Sequence, residues 1–195
     1  MRRICIFAGS SPGTRPEYAQ AAQALGRAML ARGWGMVYGG ASVGIMGVIA
    51  DTVLAGGGEV IGVLPRGLFK REVAHENLTE LHEVGSMHER KALMADLADG
   101  FIALPGGFGT FDELFEITTW AQLGLHNKPI GLLDVAGYFK PLLALVAHAS
   151  AEGFILPTHT ELLMCEDSPD KLLERFASFR PSVRVPKWTE PPPER

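Results

Sequence analysis

Short apolar runs alternate with longer stretches of helical period along this chain, the signature of a parallel sheet whose strands are joined by helices. Residues 4–8 form the first apolar run, which ends at Gly9-Ser10-Ser11-Pro12-Gly13. Helical spacing follows over 17–32, with Gly33 placed to stop it. The same alternation predicts strands at 36–38, 59–64, 100–104 and 129–133, with shorter ones at 81–84 and 162–165. Helices are expected at 45–55, 86–97, 111–123, 139–151 and 169–179, and residues 65–76 read as irregular. The tail from residue 181, with Pro191-Pro192-Pro193, cannot continue a helix and is expected to be mobile. With no internal repeat and no linker, the expectation is α/β: a Rossmann-like, doubly wound parallel sheet with helices on both faces. It forms one domain over residues 1–180, followed by the proline-rich tail at 181–195. Ligands on such sheets bind at the carboxyl ends of the strands.

Composition narrows the classes of function. The 195 residues are 47% hydrophobic and 21% charged, ordinary for one globular domain. Eighteen Lys and Arg against 22 Asp and Glu give a formal charge of −4, with no basic run, so nucleic acid is not an expected partner. Cys5 and Cys165 lie in apolar stretches without metal spacing and read as reduced core thiols, which fits the cytoplasm. The six His are scattered, so no metal is expected. Arg2-Arg3 before a short apolar run is a faint echo of a signal peptide, too short to be one, and no stretch is long enough to span a membrane.

Glycine is the odd component: 23 are present, where average usage of ~7% gives about 14. The surplus of roughly nine sits in three loops that follow three of the expected strands. Pro105-Gly106-Gly107-Phe108-Gly109-Thr110 is the strongest, because a buried strand runs through bare backbone into a helix start. Unpaired N–H groups and the positive end of the helix dipole suit such a loop to phosphate. It is neither a Walker A loop nor a GxGxxG fingerprint. Gly39-Gly40-Ala41-Ser42-Val43-Gly44-Ile45-Met46-Gly47 also opens a helix, and the first loop adds the hydroxyls of Ser10 and Ser11. Each loop taken alone is equally a tight turn. Three at one sheet edge point to a nucleotide-sized anion.

Two helix starts carry the Ser/Thr-x-x-Glu pattern of a capping box, Ser86 to Glu89 and Thr110 to Glu113. On that reading Glu113 only caps its own helix. Its place directly beyond a phosphate-type loop, with Glu116 one turn on along the same face, supports a chemical role instead. Arg90 and Lys91, one turn into the other helix, oppose its dipole. Spacing alone is equally consistent with a solvated face bearing local salt bridges.

Met87-His88-Glu89-Arg90-Lys91 together with Pro105-Gly106-Gly107-Phe108-Gly109-Thr110-Phe111-Asp112-Glu113 resembles the Lonely Guy (LOG) family of cytokinin riboside 5′-monophosphate phosphoribohydrolases. The likeness runs from Gly9 to about Phe179. It includes the stretch from Glu116 to Gly124, the strand entry at Lys128-Pro129 and the turn at Glu152-Gly153-Phe154. Asp112 stands where the family often has Glu. The resemblance implies Arg90 and Glu113 as the catalytic pair. It also implies substrate contacts at Glu72, Lys91, Thr119 and the loop Gly107, Phe108, Gly109, Thr110, Phe111 and Asp112. Gly106, Ser10 and Gly40 join the substrate site as members of the glycine loops, and Glu116 as a helper that positions ribose or water. The implied reaction releases free base and ribose 5-phosphate from an adenine-type nucleoside 5′-monophosphate, with no cofactor. A homodimer is implied too, and the apolar face Phe111, Leu114, Phe115 and Trp120 is either its contact or simply core. Two rivals stand beside this reading. One is a nucleotide-binding sensor without catalysis. The other is a lysine decarboxylase, which would need a Schiff-base lysine that none of Lys70, Lys91, Lys128, Lys140, Lys171 and Lys187 convincingly supplies.

Overall fold

The computed structural model describes residues 1–66 and 74–181. Its strands are β1 (Arg3–Phe7), β2 (Gly35–Tyr38), β3 (Val60–Pro65), β4 (Glu80–Val84), β5 (Gly100–Ala103), β6 (Ile130–Leu133) and β7 (Leu163–Glu166). They form one seven-stranded sheet in the order β4-β3-β2-β1-β5-β6-β7, every neighbouring pair parallel. The helices are α1 (Pro16–Leu30), α2 (Gly44–Ala55), α3 (Met87–Leu97), α4 (Phe108–Gln122), α5 (Lys140–Ala151), α6 (Pro157–Thr160) and α7 (Pro169–Ala177). Among the described residues no helix is long and apolar enough to cross a membrane.

The central strands are buried along their whole length, which is why they read as continuous apolar runs rather than as alternation. Successive side chains still point to opposite faces. Ile4, Ile6, Met36 and Tyr38 pack with Leu25, Met29, Ile49 and Phe176 of α1, α2 and α7. Cys5, Phe7, Val37 and Phe101 pack with Met94, Leu114, Ile117 and Phe139 on the other face. Cys5 is buried and Cys165 half-buried, both as free thiols; burial pushes both thiols up, Cys5 well above its ordinary range.

Two short elements are absent from the sequence-based expectations: α6 and a 3₁₀ turn at Val135–Gly137. Both fall below the length at which helical period is measurable. One boundary matters for chemistry. Helix α4 begins at Phe108, not at residue 111, because Gly107 takes an extended conformation as N-cap and its carbonyl accepts from the Phe111 amide at 3.1 Å. The expected irregular segment 65–76 and the tail lie largely among the residues that are not described, and β4 begins at Glu80.

The site is positioned by the divergence at the centre of the sheet. From β1 the chain builds outward to β4, then returns to add β5 on the other side. The loops that leave β1 and β5 therefore turn away from each other and open a crevice at their carboxyl ends. Gly9 ties this edge together: its amide donates to the Pro105 carbonyl at 3.1 Å, and its carbonyl accepts from Ile45 at 2.9 Å. Gly44 has φ +61, and a Cβ there would lie 2.3 Å from the Ser10 carbonyl carbon. By contrast, Gly57, with φ +77, has nothing within 4 Å. Gly57→Ala should therefore cost about 1 kcal/mol, the left-handed backbone penalty alone. Gly44→Ala should cost more than about 3 kcal/mol, since backbone must move as well. Urea unfolding midpoints of the two variants measure the difference.

Candidate active site

Helix α3 starts at the serine its sequence pattern marks, with the return bond of the capping box shifted one residue back. The Glu89 amide donates to Ser86 Oγ at 3.1 Å, and the Glu89 carboxylate accepts from the Gly85 amide at 2.7 Å. This cap sets the rotation of the first turn, so that Arg90 points inward across the ends of β2 and β3. Only 8% of Arg90 is exposed, so the solvated-face reading is wrong for this residue. Its Nε donates to the Val63 carbonyl at 3.0 Å and its Nη2 to the Gly39 carbonyl at 3.3 Å. Main-chain carbonyls, whose own charge is partial, thus replace water around a permanent cation. Gly39 is indispensable to this seat, because a Cβ there would fall 1.8 Å from Arg90 Nη2.

Glu113 faces Arg90 from α4, with Oε1 3.7 Å from Nη1. The early start of α4 removes Glu113 from any capping role: N-cap Gly107 has no side chain, and Thr110 lies inside the helix. Burial pushes the Glu113 carboxyl up to about 7, an effect the Arg90 charge only partly offsets; Asp112 and Glu116 add to it and Lys91 opposes it. Lys91 turns the other way and bridges α3 to α4, with Nζ 3.1 Å from Asp112 Oδ2 and 2.9 Å from Glu116 Oε2. These contacts raise the Lys91 pKa against the opposing pull of burial.

A cavity of about 180 Å³ opens over this pair, lined by Ser10, Met46, Arg90, Gly107, Phe108, Gly109, Thr110 and Glu113 among others. A second of about 210 Å³ adjoins it and shares Gly9, Ser10 and Gly107; Gly106, Tyr18 and Tyr138 line its far side. The glycines divide by purpose. A Cβ at Gly106 would strike Thr110 Oγ1 at 2.1 Å, a demand of the fold itself. Gly107 and Gly109 have nothing within 4 Å and no positive φ. A glycine inside a helix costs about 1 kcal/mol relative to alanine, and among the described residues no atom explains Gly109. Both leave the backbone bare toward the cavity, beside the first amides of α4, which have no partner within the helix.

The other expected site residues are scattered more widely. Phe108 is 92% exposed at the cavity mouth, and Phe111 stacks on Tyr138. Gly40, with φ +80, accepts from the His75 amide at 3.0 Å and lines neither cavity. Thr119 lies six residues beyond Glu113, about 9 Å along the helix; it is exposed, and its hydroxyl donates to the Phe115 carbonyl. Glu72 lies outside the described residues. Of the apolar face on α4, Leu114 is core and Phe115 is exposed. Sequence reasoning missed Met46, Tyr18 and Tyr138 as cavity walls and Gly39 as the seat of Arg90. The paired Gly39-Gly40 is the one available signal, and in the sequence its loop reads as a close approach of a ligand rather than as a seat for Arg90. Among the described residues no group of His, Cys, Asp and Glu is arranged to hold a metal ion.

A family model described as "Possible lysine decarboxylase" matches residues 46–176. A probable cytokinin riboside 5′-monophosphate phosphoribohydrolase of Oryza sativa subsp. japonica is 50% identical over 180 residues, 92% of this chain and 79% of the relative. A cytokinin riboside 5′-monophosphate phosphoribohydrolase of Arabidopsis thaliana is 46% identical over 180 residues, 92% of this chain and 84% of the relative. Among solved structures, a molybdenum cofactor carrier protein of Chlamydomonas reinhardtii superposes with a TM-score of 0.68 at 18% identity, covering 91% of this chain and 99% of its own. At that identity the likeness establishes the shared fold alone.

Two outcomes follow from the geometry of the pair. Gly39→Ala should unseat Arg90 and lower the binding of any anion in the cavity about tenfold or more, with the sheet intact by circular dichroism. The raised carboxyl means that folding holds the Glu113 proton more tightly than the unfolded chain does. Stability is therefore lost as pH rises from about 4.5 to about 7. Glu113→Gln, which cannot ionise, should be more stable than the parent at pH 8 by on the order of 2 kcal/mol, and no more stable near pH 4. Thermal melts at the two pH values test the sign.

Proposed function

Because this chain belongs to the family of cytokinin riboside 5′-monophosphate phosphoribohydrolases, the LOG family, we propose that it hydrolyses the N-glycosidic bond of such nucleotides, and of AMP. The products are the free base and ribose 5-phosphate. The observation that carries this reading is the buried Arg90–Glu113 pair at 3.7 Å, set in the same cavity as the bare Gly107–Gly109 backbone. An anion sensor needs the loop, the helix dipole and the cation. It has no use for a carboxylate held at a desolvation penalty beside them.

In the proposed reaction the 5′-phosphate rests on the amides at the start of α4, so that its binding positions the reacting bond. As the C1′–N bond lengthens, its electron pair moves onto the base and positive charge develops on the ribose. The ionised Glu113 faces that charge and orients a water toward C1′. The water oxygen bonds to C1′ and its proton passes to Glu113, whose carboxyl, raised to about 7, holds it readily near neutrality. The proton then neutralises the departing base. Arg90 never donates a proton, because a guanidinium does not ionise in this range. It holds the carboxylate and the substrate in register. Glu116, engaged by Lys91, helps to position ribose or water.

Lysine decarboxylation finds less support in the residues. Among the described residues no lysine lines either cavity, and Lys128 is spent on the Ala95 carbonyl. The protein is further proposed to work in the cytoplasm as a homodimer, through the exposed Phe115 and Leu123 of α4 and its C-terminus. It is not proposed to bind nucleic acid.

The test is a panel of 5′-monophosphates, nucleosides and triphosphates scored for free base and ribose 5-phosphate. AMP and isopentenyladenosine monophosphate should be cleaved. Glu113→Gln and Arg90→Ala should each lower kcat by about 10³-fold without unfolding the chain. Activity should rise with pH through about 7 as Glu113 ionises. Full activity in Glu113→Gln, or intact nucleotide after long incubation with the parent protein, overturns the proposal.

A further inference from the structure

The second cavity, on the side of the glycine loop away from Glu113, contains a side chain that the reaction as described leaves unused. Tyr138 follows the 3₁₀ turn at Val135–Gly137, where two successive residues are left-handed: Ala136 at φ 54 and Gly137 at φ 75. For alanine this conformation costs roughly 1 kcal/mol or more. The turn is held by Asp134, whose amide donates to the Glu166 carbonyl at 2.8 Å and whose Oδ1 accepts from the Phe139 amide at 2.8 Å. The result is that Tyr138 leaves the end of β6 toward the loop after β5. There its ring stacks on Phe111 at 6.5 Å and meets Tyr18 edge-on at 6.0 Å. Its hydroxyl donates to the Gly106 carbonyl.

That last bond controls the peptide between Gly106 and Gly107. No described peptide is cis, and in a trans peptide the carbonyl and the following amide point to opposite sides. With the Gly106 carbonyl held toward Tyr138, the Gly107 amide is turned away from Tyr138. Gly107 lines both cavities, and the one that lacks Tyr138 is the one with Arg90 and Glu113. No described residue accepts a hydrogen bond from that amide. A peptide between two glycines is also the easiest kind to rotate. Glycine tolerates the positive φ that a flip would produce, and among the described residues no atom lies within 4 Å of the position of a Gly107 Cβ.

We propose that Tyr138 is a positioning residue: its hydroxyl locks the Gly106–Gly107 peptide so that the Gly107 amide presents its hydrogen to the phosphate of the substrate. The inference rests on the phosphate-on-loop reading above, and extends it to a group on the opposite side of the loop. Phenylalanine would supply the same stacking on Phe111 and the same edge contact with Tyr18, so the hydroxyl carries the specific role.

The experiment measures binding of ribose 5-phosphate and of inorganic phosphate by calorimetry, alongside steady-state kinetics, for the parent, Tyr138→Phe, Gly107→Ala and the double variant. Tyr138→Phe should weaken both ligands about tenfold and raise KM by a similar factor, with kcat changed less than about twofold and the melting temperature unmoved. Alanine at 107 resists the positive φ of the flipped peptide, so the effect of removing the hydroxyl should shrink in the Gly107→Ala background. A merely structural tyrosine would lower the melting temperature without this KM-against-kcat split or this coupling. Equal phosphate affinity in the parent and Tyr138→Phe overturns the proposal, as does a parent protein that binds neither ligand. A parent that binds phosphate in a Tyr138-dependent way but cleaves no nucleotide leaves the lock standing and removes the hydrolase reading.

Discussion

Arg90 is a permanent charge placed where water cannot follow, and much of the candidate site can be understood as the means of keeping it there. A guanidinium cannot shed its proton to relieve burial, so its donors must find acceptors. The carbonyls of Gly39, just beyond β2, and of Val63, within the adjacent β3, serve, and both are reached only if α3 is capped at Ser86 and turns Arg90 inward. The absence of a side chain at Gly39 belongs to the same arrangement. Lys91, the next residue along, leaves on another side of α3 and clips that helix to α4 through Asp112 and Glu116. Glu113 is thereby brought within 3.7 Å of Arg90 and burial, not pairing, dominates its proton affinity.

The glycine loop is held from both sides. On one stand Arg90 and Glu113; on the other, the aromatic group of Tyr18, Phe111 and Tyr138. Between them the backbone from Gly107 to Gly109 is left uncovered. The loop can be this bare because its rigidity comes from elsewhere, from Gly9 bonded to the Pro105 carbonyl and from the Tyr138 hydroxyl on Gly106. The fold of the chain explains where this loop stands, at the divergence between β1 and β5, and the residues around it explain what it can do there.

The two helix starts with the same local pattern show how far local sequence reaches. Ser86 caps α3 as the capping rule requires, accepting from the Glu89 amide, while the Glu89 carboxylate reaches one residue further back, to the Gly85 amide. Thr110 and Glu113 repeat the spacing but not the structure. There the extended residue is Gly107, so α4 starts two residues before Thr110, whose side chain packs over Gly106 instead. Similarly, the long buried strands and the amphipathic helices were evident from periodicity, whereas α6 and the turn at Val135–Gly137 are too short to have one. The left-handed Ala136 had no local signal at all, since nothing in alanine asks for that conformation.

By itself the sequence determined the order of strands and helices and the loops that carry the glycines, because periodicity and turn chemistry are local properties of a chain. Arg90 and Glu113 stand out as a candidate pair only through the likeness of their two motifs to the LOG family. Only the tertiary structure decided which residues become neighbours and in what dielectric. Gly39 and Arg90 are 51 residues apart, Tyr138 and Gly106 are 32 apart, and no spacing rule links either pair. The same holds for the Glu113 carboxyl. Its composition is that of any glutamate, and its proton affinity is set by the burial that α4, α3 and the sheet impose together.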